Sequence, residues 1–175
     1  MVLDCNQTIS KLVAKCNQSN LGGVMSDRLA RSTCPVSRTV DIVGDKWTLM
    51  ILRDAFEGLS RFSQFQRSLG IAKNILSGRL QHLVEAGVME SRPDAGGSSY
   101  REYVLTPKGE KLFHLMVALR EWGADNAFTE DEPRTSYVDS RTGVPLPRLR
   151  YQSPDGDEIR PEHTQPVRPD GWVAP

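Results

Sequence analysis

Long hydrophobic runs are missing from this sequence: its apolar stretches, such as residues 47–52 and 117–119, fall far short of the roughly 20 residues a membrane helix needs. The N-terminus also lacks the basic and then apolar pattern of a secretory signal, so the expectation is a soluble, unexported, cytoplasmic protein with no membrane partner. Cysteine and histidine are scarce. Cys5, Cys16 and Cys34 are odd in number and form no CxxC, and His82, His114 and His163 lie far from them, which argues against a disulfide framework and against a zinc site. Reduced thiols, no metal and no cofactor are expected. A glycine-rich phosphate loop, a Ser, His and Asp arrangement and a metal-ligand spacing are all lacking too, which argues against an enzyme. Net charge is absent as well, with 22 Lys and Arg against 22 Asp and Glu.

That zero conceals an asymmetry. Residues 28–108 hold 12 Lys or Arg against 8 acids, whereas residues 121–175 hold 6 against 11. A basic core with an acidic tail is compatible with a local nucleic-acid face. The chain has 175 residues, 38% of them hydrophobic and 25% charged, which fits one globular domain with appended segments. The reading divides it into an N-terminal extension (1–30), a central domain (31–128) and an acidic, proline-rich tail (129–175).

Ile9, Leu12, Val13 and Cys16 follow helical spacing before Gly22-Gly23, giving a small packing arm or a loosely ordered extension; Met25 is a second candidate start. Val36, Val40 and Val43 predict a helix opening at Pro35 and ending at Gly44. Asp45 is placed to cap a helix over 46–56 with Trp47, Met50, Ile51 and Ala55 as its apolar stripe, and Ser60 to cap a third that stops at Gly70. A fourth helix over about 72–85 is predicted to bury Ile75, Leu76, Leu80, Leu83 and Val84. The period then changes to alternation in 88–92 and 100–105, joined by a polar, glycine-containing stretch, which predicts a hairpin. Thr106 and Pro107 open one long helix to about Phe128, striped by Leu112, Leu115, Met116, Leu119 and Trp122. In the tail eight prolines rule out long helices, and Ser153-Pro154-Asp155-Gly156 marks one small hairpin between about 146 and 159.

The expected class is therefore α+β, mainly helical: a winged helix-turn-helix with a C-terminal dimerisation helix and a mostly irregular tail. A helix fits the major groove, and the fourth helix carries a polar face of Lys73, Asn74, Ser77, Gly78, Arg79, Gln81 and His82 with few acids. Lys73 and Asn74 stand in its first turn, and Arg79 suits a phosphate or a guanine edge. Ser60, Arg61 and Ser63 at the third helix start can bind a phosphate through side chains and free amides, with Arg92 and Arg101 as phosphate partners on the wing, about 88–105. Arg101 can equally pair with Glu102 or Glu90.

These residues also carry a resemblance. Cys34-Pro35, Gly44-Asp45-Lys46-Trp47-Thr48-Leu49-Met50-Ile51-Leu52-Arg53, Arg61-Phe62-Ser63, Gly70-Ile71, Leu76-Ser77-Gly78-Arg79-Leu80, Gly87-Val88 and Tyr103-Val104-Leu105-Thr106-Pro107-Lys108-Gly109 through Trp122 together resemble the HxlR family of winged helix-turn-helix regulators, related to MarR-type proteins. The resemblance implies a DNA-binding homodimer that represses or activates nearby genes, with the helix over about 107–128 and the N-terminal helix as the dimer interface. Two recognition helices about a two-fold axis then imply a palindromic operator with half-sites roughly 34–36 Å apart. This chain departs from the family at Ala72, where a capping serine is usual, and at the wing tip Ala95-Gly96-Gly97-Ser98-Ser99, which lacks a usual proline. Some members resemble redox sensors with a cysteine near Cys34. Here Cys34 precedes a helix start, near Arg31 and Arg38, which favours thiolate; its other reading is a small interface residue. The alternative function is a winged-helix module for protein contacts, separable from DNA binding by its weak salt dependence.

Overall fold

The computed structural model describes residues 30–94 and 100–169, so the helical pattern expected in residues 1–24 and the wing tip at 95–99 lie outside the described residues. The chain divides into two compact units, Met1–Gly44 and Asp45–Pro175. In the first, α1 (Pro35–Val43) opens on proline and closes where the Gly44 amide donates to the Val40 carbonyl at 2.8 Å. Only Val43 of its expected stripe is buried; Val36 and Val40 stay exposed.

In the second unit, Asp45 caps α2 (Lys46–Phe56), its carboxylate accepting from the amides of Trp47 and Thr48. The buried face of α2 differs from the expected stripe: Ile51 and Leu52 are fully buried, but so are Thr48 and Asp54, while Trp47 and Met50 are half-buried. Trp47 sits in the first turn with the Lys46 ammonium 4.9 Å above its ring. Arg53 pairs with Asp54 through Nε at 2.8 Å and reaches Ser68 on α3 (Phe62–Leu69) at 3.5 Å.

The start of α3 corrects a second expectation. Arg61, not Ser60, is the residue before the helix, and the Gln64 side-chain oxygen takes the amides of both Ser60 and Arg61 at 3.0 and 2.8 Å. Gly70 adopts φ of 62°, a left-handed turn that glycine enters without steric penalty, and directs the chain into α4 (Lys73–Glu85). The α4 core residues are Leu76, Leu80 and Leu83; Ile75, expected inside, is exposed, and Val84 is half-buried. With Phe65, Ile51 and Leu52 these leucines form the centre of the domain, each worth about 1.5–3 kcal/mol of burial.

Strands β1 (Met89–Pro93) and β2 (Arg101–Leu105) pair antiparallel with Met89 opposite Leu105 and Pro93 opposite Arg101. Ser60 adds a further rung by accepting the Tyr103 amide at 2.7 Å. The predicted long helix is two: α5 (Pro107–Glu110) and α6 (Phe113–Asn126). Three side-chain or close-packing ties hold α5 against the end of α4. Thr106 Oγ1 donates to the Gly87 carbonyl at 2.7 Å, Lys108 Nζ to that of Ala86 at 2.6 Å, and Gly109 packs where a Cβ would lie 2.1 Å from the Val88 oxygen. A chain pinned there must turn, at Lys111 and Leu112, before running on. Met116 and Val117 of α6 are buried, whereas Leu119 and Trp122 are exposed.

The tail lies against α6. Arg148 binds Asp125 and holds its carboxyl below the usual carboxylate range, the Leu149 amide donates to Glu121 at 3.1 Å, and Arg134 donates to the Ala124 carbonyl at 2.8 Å. Arg120 hydrogen-bonds Thr135 and stacks 3.9 Å from the Tyr137 ring, which also meets Phe113. The turn at 153–156 is present, closed by Ile159 donating to Tyr151. A second turn, unforeseen, is closed by Leu146 donating to Tyr137, with Gly143 at φ of 72°.

Candidate nucleic-acid interface

Helix α4 presents an exposed polar face. Because Leu76, Leu80 and Leu83 face inward, the opposite side carries Asn74, Ser77, Gly78 and Gln81, all exposed, with Lys73 exposed at the first position. The side chains of Lys73, Asn74 and Ser77 make no hydrogen bond or ion pair among the described residues. Gln81 is bonded to Glu85 at 2.8 Å. Ala72 precedes the helix with extended backbone and supplies no side-chain cap, so the first amides of α4 point outward unshared by any side chain.

Arg79 stands apart from this face. Its Nε lies 3.1 Å from Asp45 Oδ1, so the guanidinium is tied to the start of α2.

At the start of α3, the expected use of the Ser60 and Arg61 amides for a phosphate is not available, since Gln64 occupies both. The spacing of Gln64, three residues after Arg61, is the capping-box signal that identifies this in sequence. Arg61 itself pairs through Nη2 with the buried Asp94 at 3.0 Å, and Ser60 Oγ faces Glu102 at 3.4 Å. Ser63 is exposed.

Strand register separates the two wing arginines. Arg92 stands opposite Glu102, on the same face as Glu90, and its guanidinium lies 3.6 and 4.0 Å from those two acids. Arg101 turns to the other face, where it donates to Ser91 Oγ and the Ser91 carbonyl, both at 2.7 Å. The acid pairing expected for Arg101 is thus made by Arg92. On the Arg101 side, Arg61, Phe62, Ser63, Tyr100, Arg101 and Tyr103 line a groove of about 350 Å³. On the other, Arg92 and Ser60 share a groove of about 380 Å³ with Glu90 and Glu110, a poorer setting for a phosphate. Tyr100 and Asp94 carry no sequence motif that marks them, whereas Asp45 is marked as a helix cap, Tyr103 stands in the family-like string and Glu102 is a candidate partner for Arg101 in sequence.

Cys34, in the first unit, is exposed at the start of α1. Its thiol is lowered below the ordinary cysteine value, chiefly by the amide and hydroxyl of Ser37 and then by the amide of Val36. The helix start, rather than Arg31 or Arg38, is the cause.

Residues 42–131 match the family described as HxlR-like helix-turn-helix. An uncharacterized HTH-type transcriptional regulator of Mycobacterium tuberculosis is 46% identical over 88 residues, covering 50% of this chain and 56% of that protein, so the chain spans little more than half of that relative. The crystal structure of PA1607, a candidate transcription factor, is 49% identical, covers 77% of this chain and 94% of its own, and superposes with a TM-score of 0.74. The redox regulator HypR in its oxidized form is 29% identical, covering 55% of this chain and all of its own, with a TM-score of 0.50.

Proposed function

Since the chain belongs to the HxlR-like helix-turn-helix family of transcriptional regulators, we propose that it acts as a cytoplasmic homodimer that binds a palindromic DNA operator. In this reading α4 enters the major groove, with Asn74 and Ser77 toward base edges and Lys73 on phosphate. The groove of Arg61, Ser63 and Arg101 seats the neighbouring backbone. Leu119 and Trp122, left uncovered on α6, join the dimer interface. One observation carries the proposal: the outer face of α4, at Asn74, Ser77, Gly78 and Gln81, is exposed, polar and free of acids over its first three turns.

Cys34 supports a second layer, a response to oxidants. In its thiolate form the exposed Cys34 at the helix start attacks the terminal oxygen of a hydroperoxide; the O–O bond breaks, the sulfur becomes the sulfenic acid and the charge leaves as hydroxide or alkoxide.

The test is a gel shift of the reduced protein on the DNA upstream of its own gene, against random-sequence competitor, repeated after mild peroxide. A competitor-resistant shift is expected, altered by peroxide in the wild type and unaltered in Cys34→Ser. Absence of any shift at low salt, on that DNA and on a genomic fragment pool, would refute DNA binding. An unchanged shift after peroxide would refute the sensor role.

A further inference from the structure

One oxygen of Asp45 serves two elements at once. Oδ1 accepts from the amides of Trp47 at 3.0 Å and Thr48 at 3.2 Å, and it lies 3.1 Å from Arg79 Nε. The first two contacts fix the carboxylate on the axis of α2, where it answers the amides that the helix start leaves unpaired. Arg79, two turns into α4, is therefore held by an acceptor that cannot drift.

The position of Arg79 on α4 gives the pair its consequence. At about 100° per residue, Arg79 flanks the Leu76, Leu80 and Leu83 stripe and lies roughly 140–160° around the helix from Asn74 and Ser77. The three leucines, fully buried, hold α4 to the core along one stripe. The ion pair on the flank of that stripe adds a tether against rolling of the helix about its axis. It does so while both side chains are only partly exposed, 40% for Arg79 and 33% for Asp45, so screening is incomplete.

We infer that Arg79 is a positioning residue: paired with Asp45, it sets the roll of α4 on α2 and hence the aim of Asn74 and Ser77, and it does not itself contact DNA. This rests on the DNA-binding reading above. It assigns to the Arg79 position a role opposite to the phosphate or guanine contact that its charge alone suggests.

The experiment uses the full chain, a duplex selected by the wild type from a random-sequence pool, and a scrambled duplex, with affinities followed over a range of salt. Asp45→Ser keeps a side-chain oxygen for the cap and removes the partner of Arg79; Arg79→Gln removes the cation. Each should lower the ratio of selected to scrambled affinity roughly two- to five-fold, the range expected of a partly exposed pair. The double variant should fall no further than the worse single change, Arg79→Lys should lie between wild type and Arg79→Gln, and the slope of log affinity on log salt should hold in all of them. A drop in slope of about 0.9 per subunit for Arg79→Gln, with Asp45→Ser silent, would make Arg79 a phosphate contact and overturn the inference. So would additive losses. A double-mutant cycle in urea reads the pair without DNA: absence of coupling overturns the inference outright. A wild-type chain that selects no duplex yet shows the coupling overturns the regulator reading and the positioning role together, and leaves the ion pair standing.

Discussion

Replacing Asn74 by alanine isolates base reading from every other property of the protein. Asn74 is exposed, occupies the second position of α4 and makes no side-chain hydrogen bond among the described residues. Alanine is the better helix former by a few tenths of a kcal/mol, and an exposed change of this kind moves stability by no more than about 0.5 kcal/mol. Whatever binding is lost is therefore not lost to unfolding. An asparagine that reads an adenine edge with two hydrogen bonds discriminates by about 1–3 kcal/mol, and a dimer uses it twice, so the selected duplex should weaken by about 2–6 kcal/mol, at least some thirty-fold. Binding to a scrambled duplex should stay within about two-fold of wild type. Lys73→Ala, one residue earlier, supplies the contrast: it should weaken both duplexes alike and reduce the salt slope by about 0.9 per subunit. Fluorescence anisotropy on both duplexes over a salt series, with urea unfolding of each variant, measures all of this. Equal losses on the two duplexes for Asn74→Ala, or no loss on either, would refute the assignment of the α4 outer face to base edges.

Other outcomes follow from the same geometry. Arg101→Ala should weaken selected and scrambled duplexes together and lower the salt slope, whereas Arg92→Ala, whose charge is already met by Glu102 and Glu90, should change both by little; anisotropy with the reverse ranking would show that the wing presents its other face. Gly109→Ala places a methyl 2.1 Å from the Val88 carbonyl oxygen, so the base of the wing must shift and the urea midpoint should drop by the equivalent of about 1–3 kcal/mol; an unchanged midpoint would contradict that close approach. Alkylation of Cys34 should rise with pH through a midpoint below the roughly 8.5 of a free thiol, because Ser37 and Val36 favour the thiolate in the folded chain. The sign is that of a lowered folded value: the folded thiol outreacts the unfolded one at neutral pH, and the advantage fades once pH passes the unfolded value. Ser37→Ala should move the midpoint back up, and a folded midpoint at or above that of the urea-unfolded chain would exclude an activated cysteine.

Much of the fold was legible because its signals are local. Asp45 before an apolar stripe, Gly70 after one, the change from a period of 3.6 to a period of 2 near Val88, and Thr106-Pro107 each declare a cap, a stop, a strand or a start through short-range sterics and hydrogen bonds. The exposed Lys73, Asn74 and Ser77 were legible for the same reason, since helical spacing assigns them to the side away from the leucines. The departures among the charged side chains turn on partners distant in the chain, whereas the one at the start of α3 is local, where Gln64 takes the amides of Ser60 and Arg61. Whether Arg61 meets solvent or Asp94, whether Glu102 answers Arg92 or Arg101, and whether Arg79 reaches outward or back to Asp45 depend on strand register and helix packing.

Residue types and their spacing by themselves determined the order of elements, the family likeness and the polar face of α4, because each follows from interactions spanning a few residues. Tertiary structure alone decided which of the five predicted cations, Arg61, Lys73, Arg79, Arg92 and Arg101, are spoken for. It also decided where the predicted long helix must break above Gly109, that Thr48 and Asp54 go inside, and that the tail folds back on α6 through Arg148 and Arg134. An ion pair is chosen by whichever opposite charge the packed core brings within about 4 Å, and the order of residues along the chain does not encode that distance locally.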